Sequence, residues 1–136
     1  MRAFVTGGSG HVGGNLVREL LSRDYEVDCL VRSDTRALDN LDVNLVNGNM
    51  LNPSEMIPLM EDCDVVFHSA AFVAVEKVQE NLMRRINVEG TKSIVTAAIN
   101  SGVQKMVHFS SIHAFEQQPT SEPLIENRPL VSDPKA

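Results

Sequence analysis

The sequence is short of three things whose abundance would define it: cysteine, long apolar runs and positive charge. Its two cysteines, Cys29 and Cys63, stand apart in apolar surroundings, without the paired Cys/His spacing that zinc requires and without a disulfide framework. Buried free thiols are the expectation. The longest apolar runs, such as Ala70 to Val75, reach only five to seven residues, against roughly 20 for a bilayer span, and the start MRAFVTGG lacks the apolar core of a secretory signal. A cytoplasmic protein with no membrane partner is expected. Twelve Lys+Arg against eighteen Asp+Glu give a formal charge of −6, which speaks against a nucleic-acid partner. Any phosphate-bearing ligand must therefore be held by a local site. No internal repeat or low-complexity tract interrupts the 136 residues, and 43% hydrophobic with 22% charged residues fit one compact domain.

What is present is a regular change of hydrophobic period. Ala3 to Thr6 reads as a buried strand that runs into glycines, and His11 to Ser22 follows as an amphipathic helix with Val12, Leu16, Val17, Leu20 and Leu21 at helical spacing. Glu26 to Val31, Val43 to Val46, Asp64 to Ser69 and Lys105 to Ser110 read as further strands. Val65-Val66-Phe67 is apolar on consecutive positions, as in a parallel strand covered on both faces. Asn52-Pro53 opens a short helix to about Met60, with proline in the first turn. A long helix is expected from Glu76 to Asn100, carrying Val78, Leu82, Ile86, Val88, Ile94, Val95, Ala98 and Ile99 and ended by Ser101-Gly102. After Phe115 four prolines among polar residues leave no period. Strands alternating with helices imply right-handed crossovers and an α/β fold, an open doubly wound parallel sheet with helices on both faces. Such sheets bind ligands beyond the C-terminal ends of their strands.

The run Thr6 to Gly14, TGGSGHVGG, lies between the first strand and the first helix. Gly7 suits the tight turn out of the strand, Gly10 the approach of a pyrophosphate, and Gly13 the close packing of helix on sheet. Backbone N–H groups near Ser9, His11 and Val12, at the positive end of the helix dipole, can hold phosphates without a basic patch. At the end of the second strand, Leu30-Val31-Arg32-Ser33 lacks the carboxylate that would take both hydroxyls of an NAD ribose. Arg32 stands instead where a guanidinium can pair with a 2′-phosphate, so the expected cofactor is NADP, with NAD as the alternative.

With these residues on hand, the sequence resembles the extended short-chain dehydrogenase/reductase family, which includes nucleotide-sugar epimerases and dehydratases, dihydroflavonol 4-reductase-like reductases and 3β-hydroxysteroid dehydrogenases. The glycine run has its TGxxGxxG form. Gly48-Asn49-Met50 resembles the family's Gly-Asp-hydrophobic turn at the adenine, with Asn49 departing from Asp. His68-Ser69-Ala70-Ala71-Phe72 resembles its H-x-A-A segment beneath the cofactor, and Asn87-Val88-Glu89-Gly90-Thr91 its N-x-x-G-T element, whose asparagine helps to order the active site. Phe109-Ser110-Ser111 resembles the end of its fifth strand.

The resemblance implies a Rossmann-type sheet, here truncated after the fifth strand. Its cofactor contacts fall on Gly7, Ser9, Gly10, His11, Val12, Gly13, Arg32, Asn49, Met50, Ser69, Ala70, Ala71, Phe72, Asn87 and Ser110, and Ser111 is its catalytic serine, hydrogen-bonded to the oxygen of a small-molecule substrate. It also implies a homodimer in the full-length parent. His68 and His113, without partner carboxylates in the pattern, receive no catalytic role.

Residues 1–115 are read as the dinucleotide-binding domain and 116–136 as a loop leading toward a catalytic helix and substrate domain. The family's acid/base pair is a Tyr-x-x-x-Lys motif. Tyr25 is the one tyrosine in this sequence, and no lysine stands four positions after it. The reading is thus an NAD(P)-dependent oxidoreductase, a reductase or dehydrogenase of a small carbonyl or hydroxyl compound, present as its cofactor-binding part. Two rivals are a nucleotide-sugar epimerase or dehydratase with tightly bound NAD and a non-catalytic NADP-binding redox sensor. Negligible turnover of these 136 residues alone is expected in a steady-state NADPH assay against ketones, and rates typical of enzymes would overturn the reading.

Overall fold

The computed structural model describes residues 1–73 and 80–132. Five parallel strands form one sheet in the order β3-β2-β1-β4-β5: β1 (Arg2–Thr6), β2 (Glu26–Val31), β3 (Asn44–Asn47), β4 (Val65–His68) and β5 (Lys105–His108). The chain winds outward from central β1 to one edge, then returns past it to start the other half. This reversal opens a crevice at the C-terminal ends of β1 and β4.

Alternation along each strand sorts the core into two layers. Ala3, Val5, Val27, Cys29, Val31 and Val65 face α1 (His11–Ser22), which buries Val17 and Leu20 against them. Phe4, Leu30 and Val66 point the other way. They meet Met56 and Met60 of α2 (Pro53–Met60) and Ile94, Ala97 and Ala98 of α4 (Gly90–Asn100). The Asn52 carboxamide caps α2 by accepting from Ser54 N at 3.2 Å, with Pro53 at the first helical position. Among the described residues no helix is long and apolar enough to cross a membrane.

Three expectations need correction. The third strand begins at Asn44, one residue late, because Val43 N bonds back to Leu41 O and Asn44 Nδ2 donates to Asp28 Oδ1 across the strand pair at 2.9 Å. The fifth strand stops at His108, so Ser110 and Ser111 lie beyond it. The long helix is not continuous α-helix: α3 (Glu80–Arg84) passes through a π turn (Arg85–Glu89) before α4. Gly90 opens α4 within the same run, and its bare Cα lies close beneath the Met50 side chain. The expected start at Glu76 and the position of Val78 lie outside the described residues. Ile94 and Ala98 are buried as expected, whereas Leu82, Val95 and Ile99 are exposed.

The proline-rich tail carries a loop, but a closed one. Phe115 and Leu130 form an antiparallel bridge, Glu116 N donates to Pro129 O, and Val131 N donates to Ala114 O. Arg128 gathers the interior of the loop, donating to Gln118 O at 2.7 Å and to Glu122 O and Pro123 O at 3.2 Å.

Both thiols are free and buried, as expected, and burial pushes each up to about 12. The carboxylate beside Cys63, with Sγ 3.7 Å from Asp28 Oδ2, was not foreseen. Asp28 is 2% exposed within the second core layer. It accepts from Arg2 Nε at 2.7 Å and Arg2 Nη2 at 3.1 Å, and from Asn44 at 2.9 Å. Burial opposes its charge, but the bonds from Arg2 and Asn44 win and hold the carboxyl below its ordinary range. Removing one partner strands the other: Arg2→Met is expected to cost about 2–3 kcal/mol in urea unfolding, less than for a fully buried pair because Arg2 is partly solvated. Adding Asp28→Leu should recover most of that loss.

Candidate functional site

The crevice is a cleft of about 320 Å³ at the C-terminal ends of β1, β2 and β4. Of the residues expected there, Gly7, Ser9, Gly10, Arg32, Asn49, Met50, Ser69, Ala70, Ala71 and Phe72 line it. His11, Val12, Gly13, Asn87, Ser110 and Ser111 do not.

The glycine turn explains itself sterically. Gly7 has φ +74°, and a Cβ there would lie 2.6 Å from Ala70 N, so the turn rests directly on the backbone after β4. A Cβ on Gly13 would collide with the Gly7 carbonyl. Helix α1 therefore starts in van der Waals contact with the turn, and its first N–H groups face the cleft mouth with neither a side-chain cap nor an acidic residue in the first turn. His11 and Val12 stand in that first turn outside the cleft lining, and both are exposed.

At the β2 end, Arg32 and Ser33 line the cleft with Asp34. Asp34 is not free to compete: Arg36 binds it through Nε at 2.9 Å and Nη2 at 2.7 Å, and these bonds hold its carboxyl down to about 2. Among the described residues no carboxylate forms an ion pair with Arg32. In the turn after β3, Asn49 Oδ1 accepts from Leu51 N at 3.1 Å, while Glu55 accepts from Asn49 N and Asn52 Nδ2, both at 2.9 Å. Asn49 thus spends one acceptor site on its own turn, and Glu55 is the unforeseen residue that fixes it.

The floor, Ser69 to Phe72, is held from two sides. The Ser69 hydroxyl donates to Thr6 O at 2.8 Å, and Ala70 N donates to Thr6 Oγ1 at 3.3 Å. Asn87 in the π turn grips Phe72, accepting from its N at 2.7 Å and donating to its O at 2.9 Å. Asn87 thus orders the floor from behind. Ile86 from the same turn lines the cleft.

His68 is fully buried below the floor and stacks on His108 with ring centroids 5.3 Å apart. Burial, with the second imidazole adding to it, pushes His68 down to about 4, so it is neutral at pH 7. Ser111 caps the turn Ile112–Ala114, its Oγ accepting from His113 N at 3.2 Å.

Sequence reasoning missed Thr6, Leu30, Ser33, Asp34, Gly48, Leu51 and Ile86 among the lining residues. Thr6 could have been found as the lone hydroxyl of an apolar strand next to the first glycine; the aliphatic members had no such signal.

The cleft fits a dinucleotide on the strength of the glycine turn without room for a Cβ, the uncapped helix start and the small-residue floor. The model of the NAD dependent epimerase/dehydratase family matches residues 3–135. A Synechocystis sp. protein carrying a dihydroflavonol 4-reductase name is 40% identical over 82% of this chain and 33% of its own length. A ketoreductase of Stigmatella aurantiaca, named for a 4-farnesyl-dihydroquinoline-1-oxide substrate, is 35% identical over 96% of this chain and 37% of its own. The chain thus spans about a third of the length of these curated relatives. The crystal structure of Thermus thermophilus UDP-glucose 4-epimerase in complex with NAD superposes with a TM-score of 0.82 at 26% identity, over 96% of this chain and 44% of that one.

The two helix glycines make opposite predictions. Gly13→Ala must push α1 off the turn and is expected to lower the melting temperature and abolish dinucleotide binding. At Gly14 the nearest atom a Cβ would meet is the flexible end of Arg18 at 3.3 Å, with Gly8 O at 3.4 Å and Ala37 Cβ at 3.6 Å in ordinary contact. Gly14→Ala is expected to leave stability unchanged or raise it by about 0.5–1 kcal/mol in thermal unfolding.

Proposed function

The chain belongs to the NAD dependent epimerase/dehydratase family, and from that premise we propose that it forms the cofactor-binding part of an NADP-dependent reductase or dehydrogenase acting on a small carbonyl or hydroxyl compound. The observation that carries the choice of cofactor is Arg32. It follows β2 directly, lines the cleft beside Ser33, and replaces the carboxylate that would take the two ribose hydroxyls of NAD. The neighbouring carboxylate, Asp34, is engaged by Arg36 and presents a neutralised fork to a 2′-phosphate. The reductase half of the proposal draws on the named activities of the Synechocystis and Stigmatella relatives.

The roles of the residues follow from their places. Backbone N–H groups of Ser9 and of His11 to Gly13 take the pyrophosphate, Gly10 N being spent on Gly7 O, and Arg32 with Ser33 takes the 2′-phosphate. Asn49 and Met50 border the adenine, and Ala70 to Phe72 leave the space beneath the nicotinamide. When bound, the nicotinamide supplies hydride exchange with a carbinol or carbonyl carbon. Ser111 orients the substrate oxygen, with its Oγ lone pair shared with His113 N. Tyr25 takes no part, since it packs under α1 just ahead of β2, at the N-terminal end of the strands, whereas the cleft lies at their C-terminal ends.

Titration with NADPH and NADH, followed by nicotinamide fluorescence and thermal shift, tests the reading. NADPH is expected to bind roughly 10–100-fold tighter than NADH, the value of one or two charged hydrogen bonds, and Arg32→Ala should erase the difference. Equal affinities that Arg32→Ala leaves unchanged would return the assignment to an NAD-holding epimerase or dehydratase.

A further inference from the structure

Behind the cleft floor lies a circuit of hydrogen bonds whose inner members, His68 and Thr91, stand outside the cleft lining. Thr6 Oγ1 lies 2.6 Å from His68 Nδ1, and His68 Nε2 lies 3.0 Å from Thr91 Oγ1. The Thr91 hydroxyl donates to Asn87 O at 2.7 Å. A hydroxyl has one proton to give. Because Thr91 gives its proton to Asn87, it can only accept from His68, so Nε2 carries the imidazole proton. Nδ1 is then an acceptor, and Thr6 donates to it. Thr6 in turn accepts from Ala70 N. Every group is satisfied in a single direction: Ala70 N–H to Thr6, Thr6 O–H to His68, His68 N–H to Thr91, Thr91 O–H to Asn87. The circuit then closes, since the Asn87 side chain grips Phe72 at the far end of the same floor.

We infer that Thr6, His68 and Thr91 form a one-way relay that sets the height of the floor Ala70–Phe72, with Thr91 the positioning residue that fixes the His68 tautomer. The inference rests on the dinucleotide reading, because the floor matters through what lies on it. Little slack exists in the floor: Ala70 is pressed against Gly7, where a Cβ would come within 2.6 Å of its nitrogen. Around the ring, Thr6 of β1 and Thr91 of α4 are uncharged, and His108 of β5 is the titratable group facing His68 among the described residues. A proton added at Nδ1 would reverse the Thr6 bond, and the buried site disfavours it.

Thr91 is outside the cleft lining, so its substitution tests the relay without removing a ligand contact. Thr91→Val keeps the shape and deletes both bonds; Thr91→Ser keeps both. Titration with NADP⁺ is expected to give about tenfold weaker binding for Thr91→Val, the size of one or two lost buried hydrogen bonds, and binding within about twofold of the parent for Thr91→Ser. Long-range 1H–15N spectra should show neutral His68 with its proton on Nε2 in the parent chain and a shift toward Nδ1–H in Thr91→Val. Amide exchange at Ala70 and Phe72 should quicken in the same variant. A purely structural threonine would lower the melting temperature of Thr91→Val while leaving its affinity, tautomer and Ala70 exchange unchanged, and that result overturns the relay. A parent chain with its proton on Nδ1 also overturns it. Failure of the parent to bind either NADP⁺ or NAD⁺ would strike the dinucleotide reading alone, with the relay then judged by tautomer and amide exchange.

Discussion

Everything in this molecule hangs on the backbone-to-backbone approach of three segments at the end of β1. The turn at Gly7, the start of α1 at Gly13 and the segment after β4 at Ala70 meet with no room for a single added carbon. That contact fixes the tilt of α1 on the sheet, aims its N–H groups along the crevice, and seats the floor beneath them. Side-chain chemistry at the site is sparse as a result. Phosphate recognition is delegated to main-chain dipoles, which is how a chain with net charge −6 can present a site for a polyanion.

The five strands and the first two helices were legible in the sequence because each is local: period, glycine spacing and a proline at a helix start announce them. Most of the cleft was legible too, since Gly7, Ser9, Gly10, Arg32 and Ser69 to Phe72 lie at strand ends, where ligands gather in such sheets. What escaped was set by tertiary contact. A hydrophobic pattern cannot distinguish a continuous helix from one with a π turn, because the count that differs is a single residue. Nor could it announce that Glu55 would hold the turn of Asn49, six positions away, or that the tail loop would be gathered by Arg128 through main-chain carbonyls. Asp28 looked like any polar residue in a strand; only the register that sets Phe4 beside Asp28, and Asp28 beside Asn44, gives it partners.

Two kinds of polar burial coexist here and do different work. At the N-terminal end of the sheet, Arg2, Asp28 and Asn44 form a charged cluster that offsets its own desolvation and pins three strands in register. Near the C-terminal end, Thr6, His68 and Thr91 are all neutral, and their bonds specify position without placing a charge beneath the cleft. The sheet is thus anchored electrostatically at one end and oriented by hydroxyls at the other.

The π turn at Arg85–Glu89 has a geometric meaning beyond the residue it presents. One surplus residue advances the helix by about 100° of phase without lengthening it by a turn. The outward face carrying Leu82 and the inward face carrying Ile94 are therefore drawn from two different windings of one rod. Shortening the segment by one residue would leave a perfectly regular helix on the page and a misaligned one in space. Ile94, Ala97 and Ala98 would still grip the sheet, while the stretch before them swung round and carried the carboxamide of Asn87 away from the main chain it holds. Regularity here would be the defect.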